Sequence, residues 1–225
     1  MIVAIEGIDG AGKSVQASLL AERAGAAGYS VFCRDYPRYE NFFGKKIGEL
    51  LVNRTDGALA VDPYSMSLWY AIDRHIDHLS VVSPELSRND LIIFNRYTLS
   101  SQIFQSIRSE ETEISDWIDN LEHRQLGLPR PDLYIILDGD PTVSAARNAK
   151  KQGRDYLSSG ADIYESDLPL QERATRAYRS TAKSRQDAVL ISQYVEAADG
   201  NRLLSPHEIS SSVCSVINDR LGLAI

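Results

Sequence analysis

The chain is short of the residues that mark several protein classes. Among its 225 residues are two cysteines, Cys33 and Cys214, too few for a disulfide framework and in no metal-binding spacing. Two unpaired thiols in a reducing cytosol are expected. A basic surplus is missing: 24 Lys and Arg face 31 Asp and Glu, a formal net charge of −7. That argues against a nucleic acid polymer as partner, and it makes any anion site a local pocket in an acidic surface. No apolar run approaches the ~18 residues that a membrane span needs, so no membrane association is expected. The opening stretch MIVAIEG has no basic leader and soon meets Glu6, so no signal peptide is expected and the location follows as cytoplasmic. Nor is there an Asn-Lys pair, which removes the Asn-Lys-x-Asp signature of guanine-reading switches.

What remains is an ordinary globular composition, 43% apolar and 24% charged, over a length that suits one α/β domain. Short apolar runs stand at 2–5 (IVAI), 29–34 (YSVFCR), 91–94 (LIIF), 133–137 (LYIIL) and 188–191 (AVLI). Amphipathic stretches such as SVQASLLAERAGAAG, DPYSMSLWYAIDRHIDHLSVV and DLPLQERATRAYRSTAKSR separate them. Strands alternating with helices predict βαβ units, a parallel sheet, and right-handed crossovers that put helices on both faces. One polar segment, 148–167, breaks the pattern and is expected to be a long mobile loop of the kind that carries function.

The first apolar run leads directly into EGIDGAGKS, and Gly7 to Ser14 fits G-x-x-x-x-G-K-S between a strand and a helix. In such a loop Gly7, Ile8, Asp9, Gly10, Ala11 and Gly12 turn their backbone N–H groups inward, and the helix N-terminus adds partial positive charge. Lys13 would reach the β- and γ-phosphates, and the Ser14 hydroxyl would ligate Mg²⁺, which takes oxygen donors. The ligand is then a nucleoside triphosphate, with ATP expected. A chain of this size with a late polar segment suits a nucleoside or nucleotide kinase, which needs a second pocket for the phosphoryl acceptor.

Candidates for that pocket lie in DYPRYENFFGKKI (35–47), in SMSLWYAIDRHIDH (65–78), where Tyr70 and Arg74 share a helix face, and in NRYTLSSQIFQ (95–105). The set EGIDGAGKS, YPRY, YAIDR, NRYTLSS and DIYE resembles thymidylate kinase, in order and spacing across nearly the whole chain. LEHRQLGLPRPDLYIILD (121–138) resembles the stretch leading into that family's fourth strand. The resemblance implies a P-loop NTPase fold: a five-stranded parallel sheet with helices on both faces. It implies one nucleoside monophosphate kinase domain over 1–225, with a short lid at about 147–165. It implies transfer of the ATP γ-phosphate to dTMP with Mg²⁺, and a homodimer.

Carried over residue by residue, Asp9 lies near the acceptor's 3′-hydroxyl and shares the metal with Ser14. Arg38 holds the acceptor phosphate, with Tyr36 and Tyr39 beside it. Tyr70 stacks on thymine and Arg74 takes its carbonyl edge. Arg96 bridges donor and acceptor phosphates. Ser101 and Gln105 face the pyrimidine edge, and Asp162 and Tyr164 close over the deoxyribose. The phosphate loop has no arginine, which matches the bacterial type that places it in the lid; Arg154 and then Arg147 are the lid candidates, among Lys150 and Lys151. One departure stands out: the family's usual Asp-Arg-Tyr is Asn95-Arg96-Tyr97 here. Asn keeps one acceptor oxygen but loses the charge, so weaker Mg²⁺ binding is expected. A kinase for another nucleotide, such as dUMP, or for a deoxynucleoside, and a nucleotide-binding protein with catalysis weakened by Asn95, are the alternatives.

Overall fold

The computed structural model of the chain describes residues 1–53, 55–109, 111, 113–150, 162–197 and 200–225, with the side chains at 148–150 and 197 left aside. Five strands, β1 (Ile2–Glu6), β2 (Val31–Asp35), β3 (Leu91–Asn95), β4 (Leu133–Asp138) and β5 (Ala188–Ser192), form one parallel sheet in the order β2-β3-β1-β4-β5. The three inner strands are buried residue after residue and read as unbroken apolar runs, as strands covered on both faces must. The edge strands β2 and β5 are half-buried and more mixed. Ten α-helices among the described residues surround the sheet: α1 (Lys13–Ala26), α2 (Phe42–Val52), α3 (Pro63–Asp77), α4 (Ser83–Glu85), α5 (Thr98–Arg108), α6 (Ile114–Asp119), α7 (Pro141–Lys150), α8 (Ile163–Ser166), α9 (Leu168–Ser184) and α10 (Pro206–Leu221), with π-helical turns at His78–Val82 and Asn120–Gln125. Helix α1 packs on α10, and α5 packs on α9. None is long and apolar enough to cross a membrane.

Local chemistry sets several helix ends. The Asp62 carboxylate accepts from Ser65 N and Pro63 opens α3. Ser205 and Glu208 form a reciprocal capping box at the start of α10, and Gly222 ends it in the left-handed region.

Two expectations change. Strand β2 begins at Val31 rather than residue 29, because Tyr29 N still bonds the Ala24 carbonyl of α1 and Ser30 is held by the Asp90 carboxylate. The segment 148–167 is not loop throughout: 148–150 finish α7, and Ile163–Ser166 form a helical turn capped by Asp162. Beyond β5 lies a separate antiparallel pair, β6 (Tyr194–Ala197) with β7 (Gly200–Leu203).

The chain leaves β1 toward one edge of the sheet and β3 toward the other. A parallel sheet opens a crevice at the carboxyl ends of such strands. Gly7 to Ser14 follow β1 and Arg96 follows β3, so both motifs arrive at the same crevice.

Candidate active site

The loop between β1 and α1 is shaped by its glycines. Gly10 has φ +77° and lies so close to α7 that a Cβ would come within 2.4 Å of the Ser144 carbonyl oxygen. Gly12, at φ +91°, is the left-handed residue that starts α1, and a Cβ there would meet nothing. Open space in front of a helix N-terminus is what a phosphate needs. Lys13 is buried, and its Nζ donates to the Ile8 carbonyl at 2.7 Å. Burial first, then the nearby Arg96 guanidinium, pulls its pKa down to about 7. Ile8 and Ala11 point their side chains into the core, so they serve the loop through their backbones.

Strand β3 delivers the second cation. Arg96 has φ +61°, the only non-glycine with positive φ among the described residues, and such a backbone is kept only where its surroundings over-determine it. They do so here. Arg96 N donates to the Ile5 carbonyl at 3.0 Å, and Nη1 donates to the Gly7 carbonyl at 3.2 Å and to Ser100 Oγ at 3.1 Å. Nη2 pairs with the Asp9 carboxylate. Behind it lies Glu6, fully buried, accepting from Tyr97 N at 2.8 Å, Ser100 Oγ at 2.6 Å and Tyr178 Oη at 3.1 Å. Burial raises the Glu6 pKa even against these donors and Arg96. Asp9 moves the other way: burial opposes its charge, but Arg96 and Lys13 hold its pKa below the usual value.

A cavity of about 350 Å³ runs from this loop to a wall made by α3, α5 and α8. Arg74 is buried in that wall. Its Nε and Nη2 donate to the two Glu122 oxygens at 2.7 and 2.6 Å, and Nη2 also donates to Ser101 Oγ at 2.7 Å. Along α5, Ser101, Phe104 and Gln105 face the cavity. The Tyr164 ring lies parallel to Phe104, with centroids 5.8 Å apart. Asp162 caps α8 by accepting from Tyr164 N at 2.8 Å. Burial, then the charge on Asp9 and that on Glu165, raises the Asp162 pKa to about 7.

Asp9, Gly10, Gly12, Lys13, Ser14, Tyr36, Tyr39, Tyr70, Arg74, Arg96, Ser101, Gln105, Asp162 and Tyr164 therefore share one cavity. Gly7, Ile8, Ala11, Arg38 and Arg147 are not in its lining. Arg38 is occupied elsewhere: Nη2 pairs with Glu40 and Nη1 donates to the Asp35 carbonyl at 3.2 Å. Arg147, on α7, approaches the outer side of the phosphate loop, 3.5 Å from the Gly10 carbonyl oxygen and 3.3 Å from Gln193 Oε1. Arg154 and Lys151 lie outside the described residues, as does the side chain of Lys150.

Of the expected metal donors, Asp9 already has a partner on each oxygen: Oδ1 pairs with Arg96 and Oδ2 accepts from Gln171 Nε2 at 3.1 Å. Ser14 Oγ instead accepts from Asn95 Nδ2 at 3.0 Å, and Asn95 Oδ1 is buried without a hydrogen-bond partner. Two neutral oxygens beside the phosphate loop suit Mg²⁺, which keeps several waters and leans on substrate phosphates rather than on a protein cage. The described residues hold no cluster of three or more acidic, His or Cys ligands, and such a cluster is not needed for this mode of binding.

Sequence patterns do not single out Glu6, Ser100, Phe104, Glu122 or Gln171. Glu6 carried one sign, an acid ending an apolar strand just before the glycine loop. Glu122 carried none, because its partner is 48 residues away.

Comparison with known proteins agrees with this geometry. A family model described as thymidylate kinase matches residues 5–196. A thymidylate kinase from Mycobacterium tuberculosis is 30% identical over 185 residues, covering 81% of this chain and 86% of its own. A probable thymidylate kinase from Thermococcus onnurineus is 36% identical over 226 residues, covering 98% of each chain. The crystal structure of thymidylate kinase from Ehrlichia chaffeensis has the same fold, with a TM-score of 0.67 at 19% identity over 96% of this chain and 98% of that one.

Proposed function

The chain belongs to the thymidylate kinase family, and from that premise we propose how its own residues divide the transfer of the ATP γ-phosphate to dTMP, which gives dTDP and ADP. The observation that carries the assignment is the continuous cavity, with the phosphate loop at one end and the Arg74–Ser101 wall at the other, and Arg96 between them. ATP phosphates rest on the backbone of residues 7–14 and on Lys13. The acceptor lies along α5 with its base toward Arg74, Ser101 and Gln105, and Tyr70 lies against the base. Tyr36 and Tyr39 flank it on the β2 side. Asp9 keeps Arg96 aimed into the cavity and stands where a sugar hydroxyl can meet it. Arg38 reaches the acceptor phosphate by exchanging Glu40 for it.

Phosphoryl transfer needs in-line positioning and neutralisation of charge more than covalent chemistry. Holding donor and acceptor side by side supplies about 7–11 kcal/mol of the barrier reduction. Lys13 and Arg96 neutralise the oxygens of the moving group from fixed positions. An acceptor phosphate is already largely ionised near neutrality, so no strong general base is required. Mg²⁺, bound through Ser14 and Asn95, would screen the donor phosphates. Arg147 is close enough to the loop to supply a further cation from α7, and Arg154 is the other lid candidate. Asp162 and Tyr164 cover the sugar. A homodimer is supported by exposed apolar side chains on α3 and just beyond it, Leu68, Ile76 and Leu79. The unpaired Cys33 and Cys214 suit the cytoplasm.

The test is an acceptor screen with ATP and Mg²⁺ over dTMP, dUMP, dCMP and thymidine, read by coupled ADP formation and by thermal shift. Turnover of dTMP with stabilisation by dTMP is expected. Failure of dTMP to stabilise the protein overturns the assignment, and stabilisation without turnover makes the chain a binding protein.

A further inference from the structure

Gln193 follows β5, is buried, and lies outside the cavity lining, yet its side chain reaches the phosphate loop. Its Nε2 donates to the Ala11 carbonyl at 2.6 Å, across 182 residues of sequence. Its Oε1 accepts from Arg147 Nη1 at 3.3 Å. A carbonyl only accepts and a guanidinium only donates, so the amide has one way to lie. The backbone is tied as well: the Gln193 carbonyl accepts from Leu204 N at 2.8 Å, just outside the β6–β7 pair. From these contacts we infer that Gln193 is a positioning residue for the donor nucleotide, fixing the Ala11–Gly12 peptide so that the Gly12 N–H faces the phosphates.

A trans peptide is planar, and its C=O and N–H point opposite ways. Ala11 lies outside the cavity lining and Gly12 lies in it, so a carbonyl drawn back toward Gln193 turns the next N–H forward. The peptide before it is held too. Ala11 N donates to the Ile8 carbonyl at 3.3 Å, and Arg147 Nη1 stands 3.5 Å from the Gly10 carbonyl oxygen. Such holds are needed because Gly10 and Gly12 lack a Cβ and accept many backbone angles. A turned peptide would aim a carbonyl oxygen at an anion, the reverse of what a phosphate cradle requires. Gln193 and Arg147 thus keep the loop preorganised while it is empty, and Arg147 carries the link to α7. The inference rests on the proposed seating of ATP on residues 7–14, and it names a side chain outside that loop which sets its affinity.

The test measures Kd for ATP, ADP and dTMP by calorimetry, and KM for ATP and dTMP by the coupled assay, in the wild type, Gln193→Met and Gln193→Glu. Met keeps the length and bulk but cannot donate. Glu keeps an oxygen for Arg147 and sets another against the Ala11 carbonyl. Kd for ATP and for ADP should each rise roughly tenfold in Gln193→Met, the equivalent of one hydrogen bond, and at least as much in Gln193→Glu. Kd for dTMP should not move. KM for ATP should rise while kcat changes little, because a grip on the phosphates is lost equally in the ground and transition states. A merely structural role would lower the melting temperature and either spare ATP affinity or weaken ATP and dTMP together. ATP affinity unchanged in a folded variant, or weakened no more than dTMP affinity, therefore overturns the inference. If one variant does not fold, the other decides alone. A wild type that binds no ATP overturns the seating of ATP on the loop instead.

Discussion

The two ends of the cavity bury charge by opposite means. At the phosphate loop, one contiguous stretch of eight residues, Gly7 to Ser14, does the work through its backbone, and its lysine is held by a carbonyl oxygen five residues away. At the acceptor wall, single side chains meet across long stretches of sequence: Arg74 with Glu122 and Arg74 with Ser101. The loop keeps a cation that is costly when the site is empty and useful once a phosphate arrives. The wall keeps a cation that is matched before any ligand is present. The charge in the loop therefore belongs to function, and the charge in the wall belongs as much to the fold.

The sharpest way to break this contrast is Lys13→Met. Turnover should fall on the order of 10³-fold, as when a preorganised group is removed from the transferring phosphoryl. Stability should hold or rise slightly, because a buried amine with a depressed pKa is removed. A denaturant melt beside the coupled assay checks both. Glu122→Ala should do the reverse. It strands a guanidinium that is only 2% exposed, and destabilisation of about 3 kcal/mol is expected, at the low end for a broken buried pair because Ser101 remains as an acceptor. The loop should be untouched, so ATP affinity should be nearly unchanged in whatever fraction stays folded. Equal stability losses in the two variants would erase the distinction.

The same contrast decides what sequence can show. The glycine loop is local: its spacing, its strand and its helix are adjacent, so its place between β1 and α1 is legible at sight. The sheet was equally legible, because inner strands buried on both faces are unbroken apolar runs. The edge strand β2 was misplaced at its start, because the helix end and Asp90 claim Tyr29 and Ser30. The paired strands β6 and β7 carry no comparable signal, since β7 is exposed throughout and four residues give no apolar period. At the wall, Arg74 was found through its helix partner Tyr70, but its true partner Glu122 was not, since no local pattern links residues 48 apart. The resemblance implies a share in the metal for Asp9, but no local pattern shows who its partners are. The structure gives both its oxygens to Arg96 and Gln171, and leaves the unpaired oxygen on Asn95 instead.

Protons offer a subtler test, because two groups in this cavity sit at about pH 7 for opposite reasons. Burial and Arg96 bring Lys13 down to about 7, so above that pH it is mostly neutral in the empty site. Burial, Asp9 and Glu165 bring Asp162 up to about 7, so below that pH it is mostly protonated. Nucleotide phosphates add negative charge and favour the protonated form of each. The lysine gains a direct phosphate partner and should return toward its ordinary range, while the carboxyl moves only a little. At about pH 8.5 the uptake should therefore belong to Lys13 and approach one proton per ATP, and it should fade below pH ~7, where Lys13 is already charged. Calorimetry of ATP binding in buffers of different ionisation enthalpy measures this directly. Asp162→Asn should leave the uptake at about pH 8.5 intact and remove only a share near pH 7. If uptake at the higher pH is absent, or disappears with Asp162→Asn, the empty loop does not hold an uncompensated cation, and the two ends of the cavity differ less than their geometry implies.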